Sequence, residues 1–182
     1  HTVSIGAEES GTERNATQIL EFAGMPSSLV ATKNLDYIEA TKELKAGDID
    51  AFFCTAGLTT TVIDELSNEC DIRLIPLTDT VISKMLESSS AYTSEVIPAG
   101  TYTGQTTDIS TIGVKSVLIT KANVSDDTIE QLTSLLFEKE NEISYSNSLK
   151  LELTYDFATD DIPIPFHDGA KRYYKACGYS TN

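Results

Sequence analysis

Thr2-Val3-Ser4-Ile5-Gly6, followed by Ala7-Glu8-Glu9-Ser10-Gly11-Thr12-Glu13, is the stretch on which the fold turns. Its first five residues alternate like a short strand, and the next few form a small-residue turn. Ala16, Ile19, Leu20 and Phe22 then recur at helical spacing. Gly24 and Pro26 end that helix. Tyr37, Ile38 and Leu44 mark a second helix that Gly47 closes. Ile49-Asp50-Ala51-Phe52-Phe53-Cys54 follows as an apolar run of strand length, suited to a strand covered on both faces.

The same order then repeats. Thr55-Ala56-Gly57 is a turn, Val62, Ile63 and Leu66 mark a helix, and Ile72-Arg73-Leu74-Ile75-Pro76-Leu77 reads as a further strand. Val81, Ile82, Met85 and Leu86 give another helix, and the segment from Ile112 to Thr120 reads as one long strand. Ser125 is placed to cap a helix through Ile129, Leu132, Leu135, Leu136 and Phe137. A polar, weakly patterned stretch runs from Glu138 to Asp161, and a short terminal helix carries Ala170, Tyr173, Tyr174 and Ala176, with Gly178 to end it. Strands alternating with helices predict an α/β fold with a mostly parallel sheet flanked by helices and joined by right-handed crossovers.

A chain of 182 residues is long enough for one sizeable core, so a single α/β domain is expected over residues 1–182. With 28 acidic against 13 basic residues the formal charge is −15, which repels phosphate backbones and anionic lipid. Nucleic acid is thereby excluded as a partner. No stretch approaches the roughly 18 apolar residues of a membrane-spanning helix. The start, His1-Thr2-Val3-Ser4-Ile5, has no basic region leading an apolar one, so any export signal is expected to have been removed. Cys54, Cys70 and Cys177 lack metal-ligand spacing and read as buried or inert thiols, with nothing to support a Cys70–Cys177 bridge.

In an open parallel sheet the binding crevice lies beyond the carboxyl ends of the strands, where helix N-termini present unpaired N–H groups. Two turns fit that description. The first offers Ser10, Gly11 and Thr12; the second offers Thr55, Ala56 and Gly57. Each combines small residues, which admit a ligand to the backbone, with hydroxyls that can bond to it. Ser10 and Glu13 also fit the S-x-x-E capping box, in which the serine oxygen caps the helix and the glutamate returns a bond to the serine N–H. Glu8 and Glu9 would repel a ligand carboxylate unless they turn away or meet a ligand amine.

Enzymatic readings find less support. Gly6-Ala7-Glu8-Glu9-Ser10-Gly11 is not a nucleophile elbow, and His167, between Pro165 and Asp168, reads as a helix-start residue rather than a base. The glycines fit neither dinucleotide-binding nor phosphate-loop spacing, so no cofactor is indicated, and no metal site is either. The chain therefore reads as a non-enzyme. Two other classes stay open: a ligand-sensing module of a signalling protein, and a small α/β hydrolase using Ser10 or Cys54.

The blocks Val3-Ser4-Ile5-Gly6-Ala7 with Ser10-Gly11-Thr12-Glu13, Leu44 to Phe53, Asp71 to Leu77, Ile97 to Gln105, and Ile162 to Ala170 ahead of Arg172-Tyr173-Tyr174 resemble the second lobe of the TAXI-type TRAP-transporter solute receptors. They cover most of the chain. Departures occur at Glu8-Glu9, where relatives carry proline and glycine, and at Cys54, Thr103 and Asp168. The resemblance implies one lobe of a type II periplasmic-binding-protein fold, extracytoplasmic (periplasmic, or lipid-anchored at the cell surface), that captures a small carboxylate or amino acid such as glutamate for a TRAP membrane permease. By the same resemblance Ser10, Gly11, Thr12, Thr55, Ala56, Gly57, Thr101 and Tyr102 line the cleft, with Tyr102 stacking on the ligand at its edge. Residues 1–108 would form the ligand-lobe core. Residues 109–182 would supply a crossover strand and C-terminal helices that pack on a first lobe. One lobe supplies half of the contacts, so weak binding, undetectable at modest ligand concentration, is expected of this chain alone. Without the first lobe the helices are expected to expose apolar surface, and either to dock on the chain's own sheet or to exchange in a homodimer.

Overall fold

A computed structural model describes residues 1–26, 28–138 and 153–181. It is an α/β protein whose three-stranded parallel sheet is flanked by helices. The chain divides into two compact units, residues 1–113 and 114–182.

The first unit starts with β1 (Thr2–Ser4), α1 (Gly11–Phe22), β2 (Ala31–Lys33), α2 (Tyr37–Ala46) and β3 (Ala51–Phe52). The sheet order is β2-β1-β3, with Val3 opposite Thr32 on one side and Ala51 on the other. Ladder bonds continue past the strand ends, from Ile5 N–H to the Lys33 carbonyl and from Phe53 N–H to the Ser4 carbonyl. β2 has no counterpart among the strands expected above: Ala31-Thr32-Lys33 is exposed to half-buried and lacks an apolar run. The expected strand Ile49–Cys54 shortens to two residues, because among the described residues β3 pairs only with β1 and is half-buried instead of covered on both faces.

α3 (Thr61–Glu69) and α4 (Asp79–Ser88) follow, then β4 (Tyr92–Ile97) paired with β5 (Ile109–Val114) in a second sheet. The segment Ile72–Leu77, expected as a strand, belongs to no ladder. Its residues alternate between exposed and half-buried as far as Ile75, but Pro76 has no N–H to give, and the Leu77 N–H bonds to the Ser110 carbonyl. The long strand expected over Ile112–Thr120 is also displaced. It begins at Ile109 and stops at Val114, leaving Leu118 and Ile119 mostly exposed. Gly113 permits the β4 pairing, since a Cβ there would fall 2.7 Å from the Glu95 side chain.

The core of this unit gathers Ile19 of α1 with Val81 and Met85 of α4, and Phe22, Phe53, Leu77, Tyr92 and Ile112 pack around them. Burying side chains of this size contributes roughly 1.5–3 kcal/mol each. The amphipathic faces of α1 and α4 therefore hold the first sheet to the second.

The second unit holds α5 (Asp126–Glu138), α6 (Tyr155–Thr159) and α7 (Asp168–Ala176). Ser125 Oγ accepts from the Thr128 N–H, as a capping serine should. His167 caps α7 through Nδ1, which accepts from the Gly169 N–H at 3.1 Å. Gly169 lies so close to the Asp126 carbonyl that a Cβ would collide with it. An aromatic cluster joins the three helices: Phe137 stacks on Tyr155 at 4.3 Å and meets Tyr174 edge-on. Most of the polar stretch from Glu138 to Asp161 lies outside the described residues. Among the described residues no helix is long and apolar enough to cross a membrane.

Candidate functional site

β1 and β3 are parallel neighbours, so the turns that leave them emerge at the same end of the sheet. Side chains then tie the two turns together. Tyr37, the first residue of α2, places its hydroxyl 2.9 Å from Thr12 Oγ1. It donates to the Thr55 carbonyl at 2.9 Å and accepts from the Thr55 N–H at 3.0 Å. Asn15 adds a longer bond, Nδ2 to Thr55 Oγ1 at 3.4 Å, while its Oδ1 accepts from the Tyr92 hydroxyl.

The turn after β1 is closed on itself. Gly6 takes a φ of +99°, and a Cβ there would lie 2.7 Å from Thr12 Cβ, so only glycine fits. Ser10 Oγ accepts from the Glu13 N–H at 3.1 Å and caps α1. The capping box is only half made: Glu13 returns its bond to the Glu9 N–H at 2.6 Å, because the Ser10 N–H already donates to the Ala7 carbonyl. The other Glu13 oxygen accepts from Asn34 Nδ2, which also donates to the Gly6 carbonyl. Thr12 is buried with its hydroxyl turned inward to Tyr37, whereas Gly11 is exposed and faces open space.

The turn after β3 is open. Thr55, Ala56, Gly57 and Leu58 are exposed, and Thr60 caps α3 by backbone position without a side-chain cap bond. The first-turn N–H groups of Thr61, Val62 and Ile63, which helix geometry leaves without intrahelical partners, are thus uncapped by Thr60. Both turns share one backbone device: the residue before the cap is left-handed, Glu9 at φ 61° and Thr59 at φ 55°.

Thr101 and Tyr102 stand behind this second turn. Thr101 folds onto its own loop, donating to the Pro98 carbonyl at 2.6 Å. Gln105 Nε2 donates to the carbonyls of Ile97, Pro98 and Thr107 and fixes that loop. Tyr102 is only 6% exposed, so its ring is part of the wall, and its hydroxyl oxygen accepts from the Thr60 N–H at 3.2 Å. Burial pushes the Tyr102 phenol above its ordinary range.

Neither nucleophile considered for a hydrolase is activated here. Ser10 Oγ serves as a cap, and burial raises the Cys54 thiol, which the nearby Tyr37 hydroxyl opposes only in part, so the reactive thiolate is disfavoured. All three cysteines are free; Cys54 and Cys70 are half-buried and Cys177 is exposed, so none of the thiols expected to be buried or inert is fully buried. Among the described residues no group of three or more His, Cys, Asp and Glu could hold a metal. An open depression of about 550 Å³ runs along α1, lined by Glu9, Ser10, Glu13 and Glu21 among others, but it includes none of Thr55, Ala56 and Gly57.

Sequence reasoning missed Tyr37, Asn15 and Asn34. A signal for Tyr37 was present: Asp36 and Glu39 form a D-x-x-E capping box, realised in both directions, which fixes the start of α2 beside the same sheet end. Asn15 and Asn34 carry no such mark. The sequence matches the NMT1-like family over residues 1–178.

Proposed function

Since the chain belongs to the NMT1-like family, a periplasmic-binding-protein-like family of solute-binding function, we propose that it serves as the solute-binding component of a TRAP-type transporter of the TAXI kind. It captures a small carboxylate or amino acid outside the cytoplasm and delivers it to a membrane permease. Residues 1–108 form the ligand lobe, and residues 109–182 the crossover and terminal helices.

The observation that carries this reading is the pairing of two strand-to-helix turns at one sheet end, one of them with an uncapped helix start. A ligand carboxylate set against Thr61, Val62 and Ile63 meets N–H donors and the positive end of the α3 dipole. The acidic turn at Glu8, Glu9 and Glu13 suits the ammonium of an amino acid. Ser10, Gly11, Thr55, Ala56 and Gly57 line the space between, while Thr12, Thr101 and Tyr102 shape it from behind. Exposed Leu118, Ile119, Leu135 and Phe157 in the second unit support its being covered in the assembled receptor by further polypeptide, a first lobe or a second copy.

The test is a titration of the labelled chain with L-glutamate and with small dicarboxylates at millimolar concentration, read by amide chemical shifts. Shifts confined to residues 55–62, with smaller ones at residues 8–13, are expected. Shifts scattered over the surface, or none with any compound, would overturn the reading.

A further inference from the structure

A phenol hydroxyl has one proton to give and two lone pairs to accept with. At Tyr37 all three are occupied. The Thr55 N–H donates to the phenol oxygen at 3.0 Å, and the phenol proton goes to the Thr55 carbonyl at 2.9 Å. That leaves the second lone pair for the Thr12 hydroxyl, 2.9 Å away, so Thr12 is the donor in that contact. Tyr37 itself cannot drift, because it opens α2, whose start is fixed by reciprocal bonds between Asp36 and Glu39. One residue from the junction after β2 therefore grips both of the other junctions.

We infer that Tyr37 is a positioning residue of the solute site: its hydroxyl locks the Thr55 turn to α1 and so aims the N–H groups at the start of α3 before any ligand arrives. It makes no ligand contact itself, since its bonding capacity is filled from within. The inference rests on the solute-binding reading above, and it assigns the preorganisation of the open turn to a hydroxyl that lies on neither turn. Preorganised donors bind an anion more tightly than donors that must first be ordered.

Tyr37→Phe keeps the ring and removes the grip. In the ligand-free chain the Thr55 amide should exchange about tenfold faster and its resonance should move, the loss expected for one hydrogen bond. Amides of β1 and α2 should hold their rates. At a fixed L-glutamate concentration the ligand-induced shifts at residues 55–62 should shrink to roughly a tenth, by the same hydrogen-bond scale. Thr12→Val, isosteric and lacking the second hydroxyl, provides a second reading if Tyr37→Phe folds poorly, and should move the Thr55 amide in the same direction by less. An unchanged Thr55 amide in either variant would overturn the grip. A faster Thr55 amide with undiminished glutamate-induced shifts would overturn the positioning role. If the unmodified chain responds to no carboxylate, the solute reading fails, while the Thr55 amide still decides whether the grip exists.

Discussion

The turn after β1 and the turn after β3 are made of similar residues, yet they differ in what they leave available. Each has small residues, hydroxyls and a left-handed residue just before a helix cap. In the first, Ser10, Glu13 and Asn34 take up the local N–H and carbonyl groups. In the second, Thr60 makes no side-chain cap and its own N–H is held from behind by Tyr102. Similar composition therefore gives one turn that is a closed structural joint and another whose cap residue leaves the first turn of its helix without a side-chain cap.

Substitutions can test that contrast. The largest effect belongs to Gly6→Ala, where a left-handed φ and a 2.7 Å approach to Thr12 Cβ combine. A loss of about 3 kcal/mol in urea unfolding is expected. Next comes Tyr102→Phe, which strips the acceptor from the Thr60 N–H and should cost about 1–1.5 kcal/mol. Ser10→Ala should cost about 1 kcal/mol by removing the α1 cap. Thr60→Ala, at the equivalent position of the open turn, should change stability by under about 0.5 kcal/mol, since no cap bond is lost. Equal costs for Ser10→Ala and Thr60→Ala, measured side by side, would abolish the distinction between the turns.

The alternation of strands and helices was legible because Ile19, Ile63, Val81 and Met85 recur at the helical period and are buried. β2 and β4 were not, because Ala31-Thr32-Lys33 and Tyr92–Ile97 are at most half-buried and carry no continuous apolar signal. The segment Ile72–Leu77 misled in the opposite sense: its apolar residues satisfy the strand pattern, but no neighbouring strand pairs with it. At the candidate site, Ser10 and Gly57 could be found from their turns. Tyr37 is adjacent to them only in space, through a hydroxyl at the end of a long side chain, and the sequence pattern does not say where such a side chain reaches.

The near-contact between Gly6 and Thr12 also constrains how the protein can diverge. A side chain can enter position 6 without collision only if position 12 becomes glycine, since alanine keeps the Cβ that stands 2.7 Å away; that change removes the hydroxyl that meets Tyr37, and the φ of +99° still disfavours any residue but glycine at position 6. The order of changes then matters: a lineage that alters position 12 first loses the link between turns before gaining freedom at position 6, and one that alters position 6 first bears the full steric penalty. Covariation at these two sites should accordingly be rare, and where it occurs position 37 should have been released as well.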